Sequence, residues 1–298
     1  MKALVFGEVL WDVFPNGKKL GGAPMNFCAH FTKLGAEGCL YSAVGKDELG
    51  DAVFESMDKL GLKKDFVAVN PQKRTGVCNV TLDEHGQPEY DLVFDVAYDN
   101  ISASNTEIEC INSHKFDVLY FGSLAQRNSV SANTVKEITE SCSFKEVFCD
   151  INIRQNYYSK ELIEECFARS TIIKINRDEL ELAKALEVIS AQCRTIKDAC
   201  DELCSKFDLK VVIVTLDSDG AAAYSYNDKT LCMSGRQPAT LVSAVGAGDS
   251  FSACFLYNFL NGNDIKTCVE RANILGAYVV GFEEAIPEYT EDLLRKIK

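Results

Sequence analysis

Runs of apolar residues alternate with amphipathic helical patterns along most of this chain. Continuously apolar runs, which predict β-strands, span residues 3–9, 39–44, 118–122, 147–151, 171–175 and 211–216. Helical patterns span residues 24–34, 49–60, 132–142, 160–168, 196–206, 247–260 and 265–280. Strands that are apolar at every position are expected to be buried on both faces. The pattern therefore predicts an α/β fold in which a mostly parallel sheet is flanked by helices.

Two segments, residues 10–20 and 75–98, follow a different pattern. Both alternate apolar and polar residues and are interrupted by turn residues, which is typical of antiparallel hairpins. A small sheet built from two pieces so distant in sequence would be an insertion on the main domain, and such insertions often form lids or dimer surfaces. We expect one domain over residues 1–298 that contains this β-sheet lid, since the length fits one large domain with an appendage at least as well as two domains.

Composition and charge narrow the functional classes. The formal net charge is −13 and no run of Lys or Arg supplies a basic patch, which argues against binding to nucleic acid or to an anionic membrane surface. No stretch approaches the ~20 apolar residues of a membrane span, and the N-terminus lacks a signal-peptide pattern, so we expect a cytoplasmic protein. The 13 cysteines are odd in number and form no C-x-x-C pair, which favours buried free thiols over disulfides.

The stretch Ser243-Ala244-Val245-Gly246-Ala247-Gly248-Asp249 runs directly into a helical pattern and is the first candidate site. The first N–H groups of a helix have no intrahelical partners and lie at the positive end of the helix dipole, so they bind anions. Gly246 and Gly248 allow an anion to approach the backbone closely, and Asp249 beside it suits a general base. The alternative is that Asp249 only caps the helix.

A second candidate is Gly21-Gly22-Ala23-Pro24-Met25-Asn26, which opens the first predicted helix. Gly22 admits close approach of a ligand, and the Asn26 amide both donates and accepts hydrogen bonds, as sugar hydroxyls require. Asp12, just after the first predicted strand, is expected to face the same crevice and to accept hydroxyl bonds. The alternatives are a turn with a proline in the first helical turn and a solvated turn aspartate.

Two later strand ends carry polar clusters. In Asp150-Ile151-Asn152-Ile153-Arg154 the three polar residues are expected to alternate to one side, and Arg154 is the best cation in the chain for a phosphoryl group. Asn176 and Glu179, three residues apart at a helix start, are candidates to orient a magnesium–water cluster. Their alternative is a capping box.

Weaker signals indicate a nucleotide. Residues 215–221 close another strand with a turn, and residues 272–281 are candidates to line a flat slot for a base. The three histidines form no metal or triad pattern, so we interpret them as surface or core residues. The chain has neither a Walker motif nor G-x-G-x-x-G, which argues against a dinucleotide-dependent dehydrogenase.

Taken together and in this order, the motifs resemble those of the ribokinase-like (PfkB-type) carbohydrate kinases. Gly21–Gly22 through Asn26 looks like the N-terminal signature, Asn176-Arg177-Asp178-Glu179 is similar to the Asn-x-x-Glu motif, and Gly246-Ala247-Gly248-Asp249 looks like the anion hole and catalytic base. The resemblance implies a Rossmann-like domain, a β lid that often dimerises, and phosphoryl transfer from ATP to a sugar hydroxyl. The residues it assigns to ATP or Mg²⁺ are Lys174, Asn176, Glu179, Thr215, Asp217, Gly220, Gly246, Gly248 and Asn273.

Within that family, Gly7–Asp12 and Asp150–Tyr158 look like the fructokinase branch, which makes fructose the first choice of substrate. Asp12, Gly22 and Asn26 would then bind hydroxyls, Tyr90 and Tyr98 would pack on the sugar ring, and Arg154 would assist at the phosphoryl group. The amides of Ala247, Gly248 and Asp249 would hold the γ-phosphate. The alternatives are a kinase for ribose, 2-keto-3-deoxygluconate or a nucleoside, and a catalytically silent sugar sensor on the same fold.

The chain departs from the family pattern at two places. Ser243-Ala244 replaces the usual Asp-Thr before the anion hole, where many relatives bind potassium, so weak or absent potassium activation is expected. Backbone carbonyls alone are the alternative ligands for such an ion. Asp217 replaces a glycine in the nucleotide turn.

Overall fold

The computed structural model describes residues 1–15, 17–82 and 88–298. Its strands are β1 (Lys2–Phe6), β2 (Leu10–Phe14), β3 (Gly17–Gly21), β4 (Glu37–Gly45), β5 (Val67–Asn70), β6 (Gly76–Leu82), β7 (Pro88–Leu92), β8 (Val118–Phe121), β9 (Glu146–Asp150), β10 (Ile172–Asn176), β11 (Val211–Thr215), β12 (Ala221–Ser225) and β13 (Thr230–Ser234). Its helices are α1 (Ala23–Lys33), α2 (Glu48–Lys59), α3 (Asn105–His114), α4 (Ser129–Ser141), α5 (Lys160–Ala168), α6 (Arg177–Ala185), α7 (Ile196–Phe207), α8 (Ala247–Leu260), α9 (Ile265–Val279) and α10 (Glu291–Ile297).

Nine of the described strands form one large sheet in the order β13-β12-β11-β10-β9-β8-β1-β4-β5. The strands from β11 to β5 run parallel, and β12 and β13 extend the sheet as antiparallel strands. One apolar layer packs under α1, α2 and α8–α10, and the other under α3–α7. The predicted mostly parallel sheet with helices on both faces is confirmed.

The small sheet has the order β3-β2-β6-β7 and stands apart from the large one. β2 pairs antiparallel with β3, and β6 pairs antiparallel with β7, as the two predicted hairpins require. The hairpins are joined by a parallel pairing of β2 with β6, which sets Asp12 opposite Cys78. We call this sheet the lid. The residues of the β6–β7 turn, 83–87, lie outside the described residues.

Several elements were not anticipated, namely β5, β12, β13, α3 and α10, and of α6 only the start at Asn176 was expected. The strand β12 reads Ala-Ala-Ala-Tyr-Ser and lacks the branched residues that indicate a strand. Both α3 and α6 begin with capping boxes, which can be recognised in a sequence, but the two helices are short.

All thirteen cysteines are free thiols, and nine of them are buried, as expected. Among the described residues, no helix has both the length and the apolar character needed to cross a bilayer.

Candidate active site

The N-terminus of α8 faces the edge of the large sheet where its parallel strands end. Gly246 precedes the helix with a φ of 83°, and a Cβ there would come within 2.5 Å of the Ala285 carbonyl oxygen. A Cβ on Gly248 would lie 3.1 Å from Lys174 Nζ. A side chain at either position would therefore be too close to a neighbouring atom. At Gly248 the absence of a side chain leaves space between the Lys174 ammonium group and the backbone.

Two amides of this turn are free for a ligand. Ala247 N–H donates weakly to the Ala244 carbonyl at 3.4 Å, and Ser250 N–H donates to Gly246 at 2.8 Å. Within the described part of the chain, the N–H groups of Gly248 and Asp249 have no acceptor. With Lys174 beside them they form a candidate site for an anion, called the anion-binding turn below, with two free amides rather than the three expected.

Asp249 lies in the first turn of α8, but no side chain caps the helix. Its carboxylate instead accepts a hydrogen bond of 2.8 Å from Asn26 Nδ2, on α1. Burial raises the pKa of Asp249 to about 6, and Asp150 adds to this rise, while Asn26 and Lys174 oppose it. The capping alternative is therefore wrong, because the carboxylate is hydrogen-bonded to Asn26 and accepts no hydrogen bond from a helix amide.

A buried ion pair lies beneath Asp249. Lys174 Nζ contacts both carboxylate oxygens of Asp150, at 2.9 and 3.1 Å, and Ser252 donates to the same carboxylate at 2.8 Å. Burial alone would lower the pKa of Lys174, but the carboxylates of Asp150 and Glu179 outweigh it and raise the pKa, so the ammonium stays charged. Lys174 thus brings a positive charge to the anion-binding turn without exposure to solvent.

The expected alternation of Asp150, Asn152 and Arg154 is wrong. β9 ends at Asp150, which is fully buried, and Asn152 takes a φ of 44° that breaks the extended backbone. Arg154 is exposed and lies close enough to Asp12 and Asp249 to lower the pKa of each. Asp150 therefore cannot meet a ligand directly, whereas the exposed Arg154 can.

Asn176 and Glu179 form a capping box, the alternative weighed above. Asn176 Oδ1 accepts from Glu179 N–H, and the two Glu179 oxygens accept from the N–H groups of Asn176 and Ile153 at 2.7 and 2.8 Å. Among the described residues, no three acidic, His or Cys side chains cluster to hold a metal directly. Glu179 has lone pairs left over, so the residues fit Mg²⁺ through bridging water and do not fit a direct cage.

The opposite wall of the site is built by the lid and the start of α1. Burial raises the pKa of Asp12 to about 6, and a Cβ on the facing Gly21 would lie 2.5 Å from Asp12 Oδ2. Gly22 has a φ of 105°, and a Cβ there would meet the Glu8 carbonyl at 2.5 Å. Backbone packing therefore requires glycine at this position.

Sequence reasoning overlooked Glu8. Its side chain is buried, and Oε1 accepts a hydrogen bond from Ala23 N–H at 3.3 Å. Burial raises the pKa of Glu8 to about 7; Arg154 lowers it and Asp249 raises it. Gly7 and Glu8 fall within the predicted strand of residues 3–9. The signal that indicates a functional role for Glu8 is a carboxylate inside an otherwise apolar run.

The two tyrosines that are expected to pack on the sugar ring differ in exposure. Tyr90, on β7, is half exposed and lies near Asp12, which helps burial to raise the pKa of the phenol. Tyr98 is fully buried under β6, and its hydroxyl accepts a hydrogen bond from Arg127 at 2.9 Å. The expected contact of Tyr98 with a sugar ring is therefore wrong, because the ring belongs to the core.

Where a nucleotide is expected, Thr215 ends β11, and the following turn contains two residues with positive φ, Asp217 and Gly220. Asp217 has a φ of 52°, a left-handed conformation that favours glycine and that aspartate tolerates. This explains the replacement of the usual glycine. A Cβ on Gly220 would lie 2.0 Å from the Ser234 carbonyl, so Gly220 is needed for chain packing. Asn273 donates to Ser234 and Gly235, which ties α9 to the end of β13.

The Ser243-Ala244 stretch offers no carboxylate for a cation. Ser243 Oγ accepts from Val245 N–H at 3.2 Å, so the hydroxyl is part of the turn. A monovalent ion here would depend on backbone carbonyls.

The sequence is similar to known carbohydrate kinases over most of its length. The model of the pfkB family carbohydrate kinases matches residues 3–291. An uncharacterized sugar kinase of Archaeoglobus fulgidus is 28% identical over 86% of this chain and 97% of its own length. A probable fructokinase-5 of Arabidopsis thaliana is 26% identical, over 95% and 92%.

The fold also resembles solved structures. The structure of a putative ribokinase II from E. coli, in complex with ATP and Mg²⁺, superposes with a TM-score of 0.82 at 22% identity. It covers 96% of this chain and 94% of the other. Since the family model spans residues 3–291, nearly all of the sequence, this chain belongs to the pfkB family of carbohydrate kinases.

Proposed function

We propose that this carbohydrate kinase transfers the γ-phosphoryl group of ATP to a hydroxyl of fructose, with Asp249 as the general base. The observation that carries the proposal is the position of the Asp249 carboxylate next to the free amides of Gly248 and Asp249 and to Lys174. A hydroxyl held between the carboxylate and these donors would lose its proton to Asp249 as its oxygen attacks phosphorus.

Most of the rate would come from positioning and charge neutralisation. The two amides and Lys174 Nζ would stabilise charge that develops on the transferred group, and the exposed Arg154 would approach from the sugar side. Asn26 orients the Asp249 carboxylate through its amide nitrogen, and its Oδ1, buried and without a partner among the described residues, is available to a sugar hydroxyl. Mg²⁺, bound through water near Asn176 and Glu179, would neutralise phosphate charge.

Fructose is favoured by the fructokinase relative and by a lid that presents Asp12 and Tyr90 to the acceptor side. Ribose, 2-keto-3-deoxygluconate and nucleosides remain the competing acceptors.

The experiment is a coupled assay of ADP release with ATP, Mg²⁺ and a panel of these acceptors. We expect fructose to give the highest kcat/KM, and Asp249→Asn to lower kcat by roughly 10²–10⁴-fold while calorimetric sugar binding persists. The control Asp58→Asn changes an exposed α2 aspartate and should match the wild type. A fall in kcat of less than about tenfold would contradict the base assignment. If none of the acceptors in the panel leads to ADP release, a catalytically silent sugar sensor becomes the better explanation.

A further inference from the structure

The loop of residues 281–289, between α9 and α10, contains no helix or strand and is held by side chains from other elements. Tyr278 donates to the Glu288 carbonyl at 2.8 Å, and Lys19, from β3 of the lid, donates to Glu283 at 3.3 Å. At its centre, the Ala285 carbonyl oxygen lies 2.9 Å from His30 Nε2. A loop with few backbone hydrogen bonds takes its position from such contacts.

His30 is fully buried on α1, and its two hydrogen-bond partners determine which ring nitrogen carries the proton. A carbonyl oxygen can only accept, so Nε2 carries the proton, and Nδ1 accepts from the Tyr289 hydroxyl. Burial lowers the pKa of His30 to about 4, so the ring is neutral near pH 7. Both ring nitrogens are therefore engaged by residues of the 281–289 loop.

The loop in turn touches the anion-binding turn. The Gly246 backbone packs so closely on Ala285 that a Cβ would come within 2.5 Å of its oxygen and 2.9 Å of its Cα. His30 also lies one helical turn after Asn26, which holds Asp249. One face of α1 thus contacts the anion-binding turn directly through Asn26 and contacts its support, Ala285, through His30.

We propose that His30 is a positioning residue: it holds Ala285 against Gly246 and thereby fixes the turn that presents the amides of Gly248 and Asp249. His30 touches neither substrate nor reacting atoms. The hydrogen bond to Ala285 stabilises one placement of the loop, and the close packing against Gly246 passes that placement to the first turn of α8. The inference rests on the proposed function for its kinetic consequence, whereas its structural consequence is independent of it.

The decisive variants are His30→Leu, which fills the site but cannot donate, and His30→Gln, whose side-chain amide can reach Ala285. Phe31→Leu is the matched control, because Phe31 is buried on the same helix and packs against Phe27 and Tyr257 away from the loop. Hydrogen exchange of peptides covering residues 243–250 and 281–289 is measured with the full-length protein. Kinetics with ATP and the best acceptor of the panel follow.

We expect His30→Leu to accelerate exchange in both peptides and to lower kcat by at least about tenfold, with little change in the dissociation constant of the sugar. His30→Gln should restore both to within about threefold, and Phe31→Leu should lower stability without either effect. Faster exchange confined to 281–289, or equal kcat losses in His30→Leu and Phe31→Leu, would overturn the inference. If the wild type phosphorylated no acceptor, the proposed function would fall, and the exchange of 243–250 would still decide the role of His30.

Discussion

At the scale of single residues, the surroundings of Asp249 suit the proposed role of its carboxylate in proton transfer. Burial and the neighbouring Asp150 raise its pKa to about 6, whereas Asn26 and Lys174 keep the rise moderate. A base with this pKa is largely ionised at pH 7 and still basic enough to accept a proton in the transition state. The buried Asp150–Lys174 pair thus tunes Asp249 and also supplies the ammonium at the anion-binding turn.

Asp12 and Asn26 are expected to affect the two substrates differently. Asp12→Ala removes the proposed hydroxyl acceptor on the lid and should weaken sugar affinity by about tenfold or more, with ATP affinity nearly unchanged. Asn26→Ala should also weaken sugar binding and, because it removes the hydrogen bond to Asp249, should lower kcat as well. Calorimetry with each ligand separately is the measurement. Equal losses for sugar and ATP would mean that these residues shape the fold instead.

At the scale of elements, the lid is joined to the core by a clamp around Arg127. The guanidinium pairs with the buried Asp99 at 2.7 Å and donates to the Val93 carbonyl, just after β7. It also lies over the ring of Tyr157, 4.5 Å from the centroid. This clamp explains why Tyr98, in the 3₁₀ turn next to Asp99, is buried and does not face the sugar.

Breaking the clamp should cost far more stability than breaking a surface pair. Arg127→Leu leaves the Asp99 charge buried and unpaired, and we expect a loss of about 3–5 kcal/mol in the free energy of unfolding. Lys73→Ala, which removes the exposed pair with Asp95, should leave that free energy almost unchanged. Urea unfolding followed by circular dichroism compares the two. Similar losses in both variants would show that the clamp does not anchor the lid.

The loop before α8 leads to a prediction about potassium. With Ser243-Ala244 in place of Asp-Thr and the Ser243 hydroxyl used within the turn, the negative field at this loop is weak, so activation should be weak or absent. Activity is measured at fixed ionic strength with potassium replaced by a large organic cation. A steep, saturable rise with potassium would contradict the prediction. The double change Ser243→Asp and Ala244→Thr should create or strengthen the response.

At the scale of the whole molecule, three buried carboxyl groups of the candidate site lower the free energy of unfolding at neutral and alkaline pH. Asp12, Glu8 and Asp249 all have pKa values raised by burial, to about 6, 7 and 6. A carboxyl whose pKa is higher in the folded than in the unfolded state contributes stability at low pH, and that contribution is lost as pH rises through the folded value. Ionisation of these three carboxyl groups therefore lowers the free energy of unfolding.

Asp249→Asn should consequently stabilise the protein at pH 8. The pKa rises from 3.8 to about 6 on folding, which corresponds to about 2–3 kcal/mol of destabilisation once Asp249 is ionised. The advantage of the variant should shrink as pH falls through 6 and should vanish near pH 4. Urea unfolding of both proteins at pH 8, 6 and 4 is the measurement, and Glu8, whose pKa the Asp249 charge raises, changes the difference in the same direction. An advantage independent of pH would contradict it.

An association of two chains through the lid also stays a prediction at this scale. Light scattering of the purified protein with and without substrates is the measurement.

Much of the architecture was readable from the sequence, because it depends on local signals. Apolar runs located the central parallel strands, helical periodicity located seven helices to within a few residues, and glycines before an acidic residue marked the start of α8. The resemblance to the kinase family rested on the same short motifs. The left-handed turn at Asp217 and the capping box at Asn176 were likewise encoded within a few residues.

Tertiary structure alone decided which of the polar residues meet. Asn26 and Asp249 are 223 positions apart, Ser252 and Asp150 are 102 apart, and His30 reaches Ala285 across 255 positions. No periodicity records such contacts, because they arise only when helices from opposite ends of the chain pack on one face of the sheet. For the same reason Tyr98 and Asp150, which look like site residues in a linear reading, are buried in the core, while Glu8 and His30, which look like core residues, shape the site.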